Sequence, residues 1–254
     1  MDAVTERIIH AGQGTPEALW LASEQLRDVA QTTLQALVPA GSRAVVVAPH
    51  PDDEVLLAGG LIQQLVRHQR SLVVVAVTNG GASHPASTHW PAPLLGLARA
   101  REQTAALRSL GAGHAPIHRL GLPDGGLQSR RAALVESLLS LLMPSDVVFA
   151  TWRLDGHPDH EAVGEASASA AAHCGAHLVE VPVWGWHWSH PGDTPIPWGR
   201  ARRLPVSAAD VQSKLRALQS HQTQLQPDPS TGAAPILDAA SQGRATRPFE
   251  LFLV

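Results

Sequence analysis

The sequence predicts an α/β protein built on a Rossmann-like, doubly wound, mostly parallel sheet with helices on both faces. Three observations predict it. Short unbroken runs such as Ala44–Ala48 (AVVVA) and Leu72–Val77 (LVVVAV) lack polar alternation, as strands buried on both faces do. Helical patterns of about 10–15 residues separate these runs, which is the signature of βαβ units. With 254 residues, 44% hydrophobic and 16% charged, the chain can also bury a large core.

The elements follow in order. Leu19, Ala22, Leu26, Val29 and Leu37 recur at helical steps across Thr15–Leu37. That predicts one helix, stopped by Pro39-Ala-Gly41. It would form an N-terminal helical extension over 1–40, ahead of one domain over 41–254. After the strand at 44–48 come a helix over Glu54–His68, the strand at 72–77 and a helix over Leu95–Leu110. A weaker strand at Ile117–Leu120, a helix over Ser129–Leu142 and a strand at Asp146–Thr151 continue the pattern. Helices over Asp159–His173 and Ser207–Ser220 flank a strand at His177–Val183, and Phe249–Val254 suits an edge strand. Two segments, 189–205 and 226–243, are rich in proline and glycine and read as irregular loops. No period of a solenoid repeat appears.

Composition excludes several function classes. Nineteen basic against 22 acidic residues give a net charge of −3, and the arginines are scattered around a single lysine, Lys214. No nucleic-acid footprint or polybasic membrane patch is written there. One cysteine, Cys174, rules out an internal disulfide or a cysteine-rich zinc module. The amino terminus lacks a signal-peptide pattern, and the apolar stretch Ala132–Met143 is too short to span a bilayer, so a cytoplasmic location is expected. The sequence sets no oligomeric state and is compatible with a homo-oligomer. Fourteen histidines favour metal or acid–base chemistry, and the absence of tyrosine excludes a phenol from any role in it.

The chemistry gathers in two blocks. His50-Pro-Asp-Asp-Glu54 directly follows the first strand and opens a helix, at the sheet edge where open parallel sheets bind ligands. His50 and Asp53 suit one divalent ion, with Asp52 left over as a base. An N-capping acidic turn explains this block alone about as well. Gly156-His157-Pro-Asp159-His160 then follows the fourth strand at the same edge. Together His50, Asp53 and His160 make a two-histidine, one-carboxylate set with a position open to water, as catalytic zinc sites require. Fe²⁺ and Co²⁺ suit the same donors.

The PHPDDE and HPDH blocks together resemble the PIG-L/LmbE-like family of zinc-dependent N-deacetylases. Thr78-Asn-Gly-Gly81, Arg99-Ala-Arg-Glu102, Leu122-Pro-Asp-Gly125 and Lys214…His221-Gln-Thr-Gln224 extend the resemblance over Val45–Gln224. Gly81 stands where the family commonly has an acidic residue, and Thr223 where it commonly has serine. The resemblance implies a catalytic zinc held by His50, Asp53 and His160, Asp52 as general base, and His157 as electrophile or acid, oriented by Asp159. It implies hydrolysis of an N-acetyl group on a hexosamine-type small molecule. In that scheme the metal acidifies water, Asp52 takes its proton, and a charged His157 stabilises the oxyanion and protonates the amine. A single bifunctional carboxylate performing both transfers is the alternative.

Weaker signals have bland alternatives. Arg99 is a candidate substrate contact, against a surface pair with Glu102. Asp124 is a candidate substrate contact by resemblance, against a plain turn residue. Glu54 would orient a ligand or merely sit at a helix start. Strand spacing of Trp184, Trp186 and Trp188 would put three indoles on one face, for sugar stacking or for packing. The loop over 189–205 would set pocket size. Rival functions are cleavage of another N-acyl or conjugate amide at the same metal, a nucleotide- or methyl-donor-binding Rossmann domain without hydrolysis, and a metal-stabilised binding module. The nucleotide reading lacks a Gly-x-Gly-x-x-Gly after the first strand.

Overall fold

The computed structural model describes residues 7–10, 12–193 and 195–254. Seven strands form one sheet: β1 Ala44–Ala48, β2 Leu72–Thr78, β3 Ile117–Leu122, β4 Val147–Thr151, β5 His177–Val181, β6 Ala201–Pro205 and β7 Phe249–Leu253. Their order across the sheet is β3-β2-β1-β4-β5-β7-β6. Strands β1 to β5 are mutually parallel, and β7 pairs antiparallel with both β5 and β6. The doubly wound sheet is therefore as expected, with an antiparallel margin added.

The helices are α1 Glu17–Ala22, α2 Glu24–Asp28, α3 Leu34–Leu37, α4 Asp53–Arg67, α5 Ala92–Ser109 and α6 Arg131–Leu139. They continue with α7 Pro158–Cys174, α8 Gly185–Trp188, α9 Ala208–Leu218, α10 Gln222–Leu225 and α11 Ala239–Arg244. Successive residues of β1 feed opposite cores. Val46 packs with Leu61, Leu65 and Phe149 on one side, while Val45 and Val47 pack with Leu134, Leu138 and Val163 on the other. No described helix is long and apolar enough to cross a membrane.

Five expectations need correction. The N-terminal segment is not one helix but the three short helices α1–α3. Ser23 ends α1 and N-caps α2 by accepting from the Leu26 amide, and Gln31 then bridges Arg203 as an extended residue. Trp20 carries this segment onto the domain, packing edge-on against Trp186 at 5.0 Å. The stretch over 189–205 is not all irregular, because it ends in β6, the true edge strand; β7, expected at the edge, lies inside it. Likewise 226–243 contains most of α11. Finally, Trp184–Trp188 is not extended: Gly185–Trp188 forms one helical turn, and Trp186 and Trp188 are buried in an aromatic core with Trp20 and Trp152.

Helix α4 is interrupted at Ala58, whose φ of −149° is not helical. The amides freed there are taken by a carboxylate: Gly60 and Leu61 donate to Glu250 at 2.7 and 2.8 Å. Lys214 Nζ lies 2.6 Å from the same side chain, so the cap is a buried ion pair. The break lets the first turn of α4 aim at the site while the remainder packs on the sheet.

Candidate active site

The strand order reverses between β1 and β4, and both strands end on the same edge. This is the switch point at which doubly wound sheets open a crevice. The turn after β1 brings His50, Asp52 and Asp53, and the turn after β4 brings His157, Asp159 and His160. Pro158 starts α7 at the position where its missing N–H costs nothing. His157 caps that helix, its Nδ1 accepting the Asp159 amide at 3.2 Å.

Three donor atoms meet around one point. Asp53 Oδ2 lies 3.2 Å from His50 Nδ1 and 3.4 Å from His160 Nε2, and the three residues' donors all fall within 4.8 Å of one another. The set fits a divalent ion. His160 is fully buried, its Nε2 has no hydrogen-bond partner among the described residues, and its Nδ1 lies 2.8 Å from Asp155 Oδ2. Nδ1–H donated to Asp155 leaves the Nε2 lone pair free for a metal. On His50 the arrangement is mirrored: Nε2 lies 3.2 Å from Asp124 Oδ1 and 3.3 Å from Asp159 Oδ2, which leaves Nδ1 toward Asp53.

The electrostatics also ask for a cation. Burial opposes an imidazolium at His160, yet Asp53 and Asp155 raise it to about 9. His50 is likewise raised well above the ordinary value against its burial, through Asp124, Asp159 and Asp53. Both imidazoles thus hold a proton where a metal would put its charge. His50, Asp124 and Asp159 also form a compact donor group. Its oxygens are engaged, however: Asp159 accepts from the Gly125 and Leu127 amides at 2.7 and 3.1 Å, and Asp124 from the Ala82 amide at 2.6 Å.

Asp52 faces the same pocket as His50, Asp53, His157 and His160. Burial raises its carboxyl, and the Arg99 guanidinium, 3.2 Å from Oδ1, opposes that rise. Arg99 is itself 3% exposed and donates to the Gly80 carbonyl at 2.9 Å.

Residues 45–171 match the family model described as "PIG-L: GlcNAc-PI de-N-acetylase". The chain belongs to the PIG-L family. It is therefore an enzyme, an N-deacetylase hydrolysing an amide bond. A 1D-myo-inositol 2-acetamido-2-deoxy-alpha-D-glucopyranoside deacetylase of Rhodococcus opacus (strain B4) is 28% identical over 247 residues, covering 74% of this chain and 83% of that relative. Among solved structures, the A40926 pseudoaglycone deacetylase Dbv21 superposes with a TM-score of 0.60 at 21% identity, covering 83% of this chain and 96% of its own. The N,N'-diacetylchitobiose deacetylase of Pyrococcus horikoshii gives a TM-score of 0.56 at 20% identity, covering 74% and 73%. The match to the PIG-L family model spans both histidine blocks.

The structure brings His50, Asp52, Asp53, Arg99, Asp124, His157 and His160 to one pocket. Asp159 stands directly behind it, with its carboxylate on His50 Nε2. The hydrogen bond between Asp159 and His157 runs from the Asp159 backbone amide to the ring, while the Asp159 carboxylate is turned to His50. Burial, together with His160 and His50, pushes the His157 imidazole down to about 3, which disfavours the charged ring that the resemblance implied. The surface pair expected as the alternative for Arg99 does not form, because Glu102 instead accepts from the Thr223 amide and hydroxyl at 2.9 and 2.7 Å. Asp124 is more than a turn residue. Burial would raise its carboxyl, but the hydrogen bond and charge of His50 hold it at about 2. Glu54 orients no metal donor: buried against Gln103, which donates to it at 2.9 Å, its carboxyl is raised by burial to about 8 and is neutral near pH 7.

Pocket walls come from Ser83, Trp184, Gln224 and Leu237, and among the described residues none of the loop over 189–205 lines the pocket. Of the three indoles, only Trp184 reaches the pocket. Sequence reasoning missed Asp155 altogether. It is fully buried and its two oxygens accept the Val183, Trp184 and Gly185 amides at 2.8–2.9 Å in addition to His160. The available signal was weak: an acidic residue one position before Gly156 in a strand-to-helix turn.

Proposed function

We propose that this protein is a metal-dependent N-deacetylase that removes the acetyl group from a small molecule carrying an N-acetylglucosamine-type sugar, with zinc as the resident ion. The convergence of His50, Asp53 and His160 beside the carboxylate of Asp52, which is left out of the donor set, carries this reading. A divalent ion held by those three residues would polarise the amide carbonyl and acidify water. Asp52, steadied at Oδ1 by Arg99, accepts a proton from the attacking water. The His157 ring accepts the Asp159 amide at Nδ1, so its neutral form carries hydrogen on Nε2 and donates to the developing oxyanion. Collapse breaks the C–N bond, and Asp52 returns its proton to the departing amine, giving acetate and a free amino sugar. A neutral His157 favours this one-carboxylate scheme over an acid–base pair. The Rhodococcus relative's inositol-linked acetamido sugar supports the substrate class. Arg99 and Asp124 are assigned to its hydroxyl groups.

The test is amine release from a panel of N-acetylhexosamine derivatives by the metal-loaded protein, with Asp52→Asn alongside. Turnover that vanishes in the variant is the expected result. No turnover across the panel, with stoichiometric metal still bound, would overturn the sugar assignment and leave another N-acyl amide as the substrate.

A further inference from the structure

A second cavity adjoins the catalytic pocket, and Leu56, Trp184 and Leu237 line both. Beyond that shared wall it runs between Trp186 and Phe249 toward α11. It is about 60 Å³, room for several waters or one small functional group.

Its charged groups do not balance. Lys214 is paired with Glu250. Arg247 is paired with Glu17 at 2.6 and 2.7 Å and lies over the Trp186 ring, 4.2 Å from its centroid. Arg244 has no carboxylate within 4.0 Å among the described residues; its sole protein partner is the Trp186 carbonyl, 3.3 Å from one terminal nitrogen. Its Nε is buried with no hydrogen-bond partner among the described residues. One helical turn earlier on α11, Ser241 is also buried, and its Oγ is likewise without a partner among the described residues. Residues three apart on a helix share a face, so the two orphan donors lie side by side. Burial pulls the Arg244 guanidinium down to about 10, as expected for a cation lacking a counterion. Two unpaired donors, one of them charged, beside an aromatic wall form half of an anion site.

We propose that this cavity is a second substrate subsite: it takes only the carboxylate, anchored by Arg244 and Ser241, while the apolar substituent of the amino sugar that bears it lies in the catalytic pocket against the shared wall of Leu56, Trp184 and Leu237. Only the attachment to a sugar rests on the deacetylase reading.

Binding and turnover test the two parts separately. Titrated calorimetrically into the full metal-loaded chain, benzoate should bind one per chain, and benzyl alcohol should bind far more weakly. Arg244→Gln should weaken benzoate about tenfold or more, as loss of a charge-assisted hydrogen bond does. Ser241→Ala should weaken it less, and Arg244→Lys should restore part of the loss. Near-UV circular dichroism verifies that each variant is folded. Benzoate binding that survives Arg244→Gln, equal binding of benzyl alcohol, or no binding to the folded chain would overturn the proposal. In the second arm, 4-carboxyphenyl and phenyl N-acetyl-glucosaminides are compared, and Arg244→Gln should raise the ratio of their KM values about tenfold. Arg244-dependent benzoate binding without turnover of either glycoside would retain the pocket and reject the sugar. Turnover of both with an unchanged KM ratio would reject the pocket's role in substrate binding and retain the deacetylase.

Discussion

The carboxylate of Asp155 joins two parts of the site: Oδ2 lies 2.8 Å from His160 Nδ1 and 2.9 Å from the Trp184 amide. A candidate metal donor and a pocket wall are therefore positioned by one fully buried side chain. Asparagine at this position would turn one acceptor into a donor facing N–H groups. Asp155→Asn is expected to lower metal affinity about 10–100-fold, the usual effect of losing the hydrogen-bond partner of a ligating histidine. Competition against a chromophoric chelator measures it, and an unchanged affinity would show that His160 is oriented by packing alone.

Metal uptake should be strongly pH-dependent. In the metal-free chain His160 titrates at about 9 and His50 well above the ordinary histidine value. Both values are raised, so both rings are protonated at pH 7, and an ion must displace a proton from each. Affinity therefore rises with pH up to the folded-state values and falls below them. Calorimetry at pH 7 in buffers of different ionisation enthalpy should report two protons released per ion bound. Release of none would mean that these carboxylates do not hold imidazolium rings.

Asp52 and His160 should separate chemistry from metal binding. Asp52→Asn keeps all three donors and is expected to lose about 10²–10⁴-fold in rate, the span of general acid–base catalysis. His160→Ala removes a donor and should lose the ion itself. Metal content by elemental analysis, set beside turnover, distinguishes them. Equal metal loss in both variants would remove Asp52 from the role of base.

Gly80 should be irreplaceable for a reason visible at Arg99. Its φ is +66°, and a Cβ there would sit 2.2 Å from the Arg99 guanidinium. Gly80→Ala combines a left-handed strain with displacement of the group that holds Asp52. A loss of more than about 1 kcal/mol in stability is expected, with a fall in kcat beyond what the unfolded fraction explains. Urea titration and initial rates read the two effects, and a variant with wild-type kcat would show that Arg99 does not steady the base.

Much of this was legible because its signals are local. A strand such as β1 is apolar throughout because both of its faces are buried, and the histidine blocks stand out because each directly follows such a strand. What was hidden depends on tertiary partners. Strand β6 reads Ala-Arg-Arg-Leu-Pro, half polar because it is the edge. Strand β5 was expected to reach Val183 but stops at Val181, since Pro182 has no N–H and the next three amides go to Asp155. The same capture bends Trp184–Trp188 into a helical turn, so strand spacing misplaced its indoles. His157 looked like a cation beside Asp159 in sequence, but the carboxylate turns to His50 and burial disfavours a charged ring.

The broken helix α4 makes a last prediction about Glu250. Its carboxylate accepts the Gly60 and Leu61 amides and binds Lys214, and both side chains of the pair are buried. Glu250→Ala leaves a buried ammonium and two buried amides unpaired, and about 3–5 kcal/mol of stability should be lost, as when one partner of a buried pair is removed. Lys214→Met should cost less, because the remaining carboxylate keeps both amide bonds while the methylene stem of the lysine is replaced in kind. If urea unfolding ranked the two variants the other way, the cap on the interrupted helix would not be what holds Glu250 in place, and the ion pair alone would account for its burial.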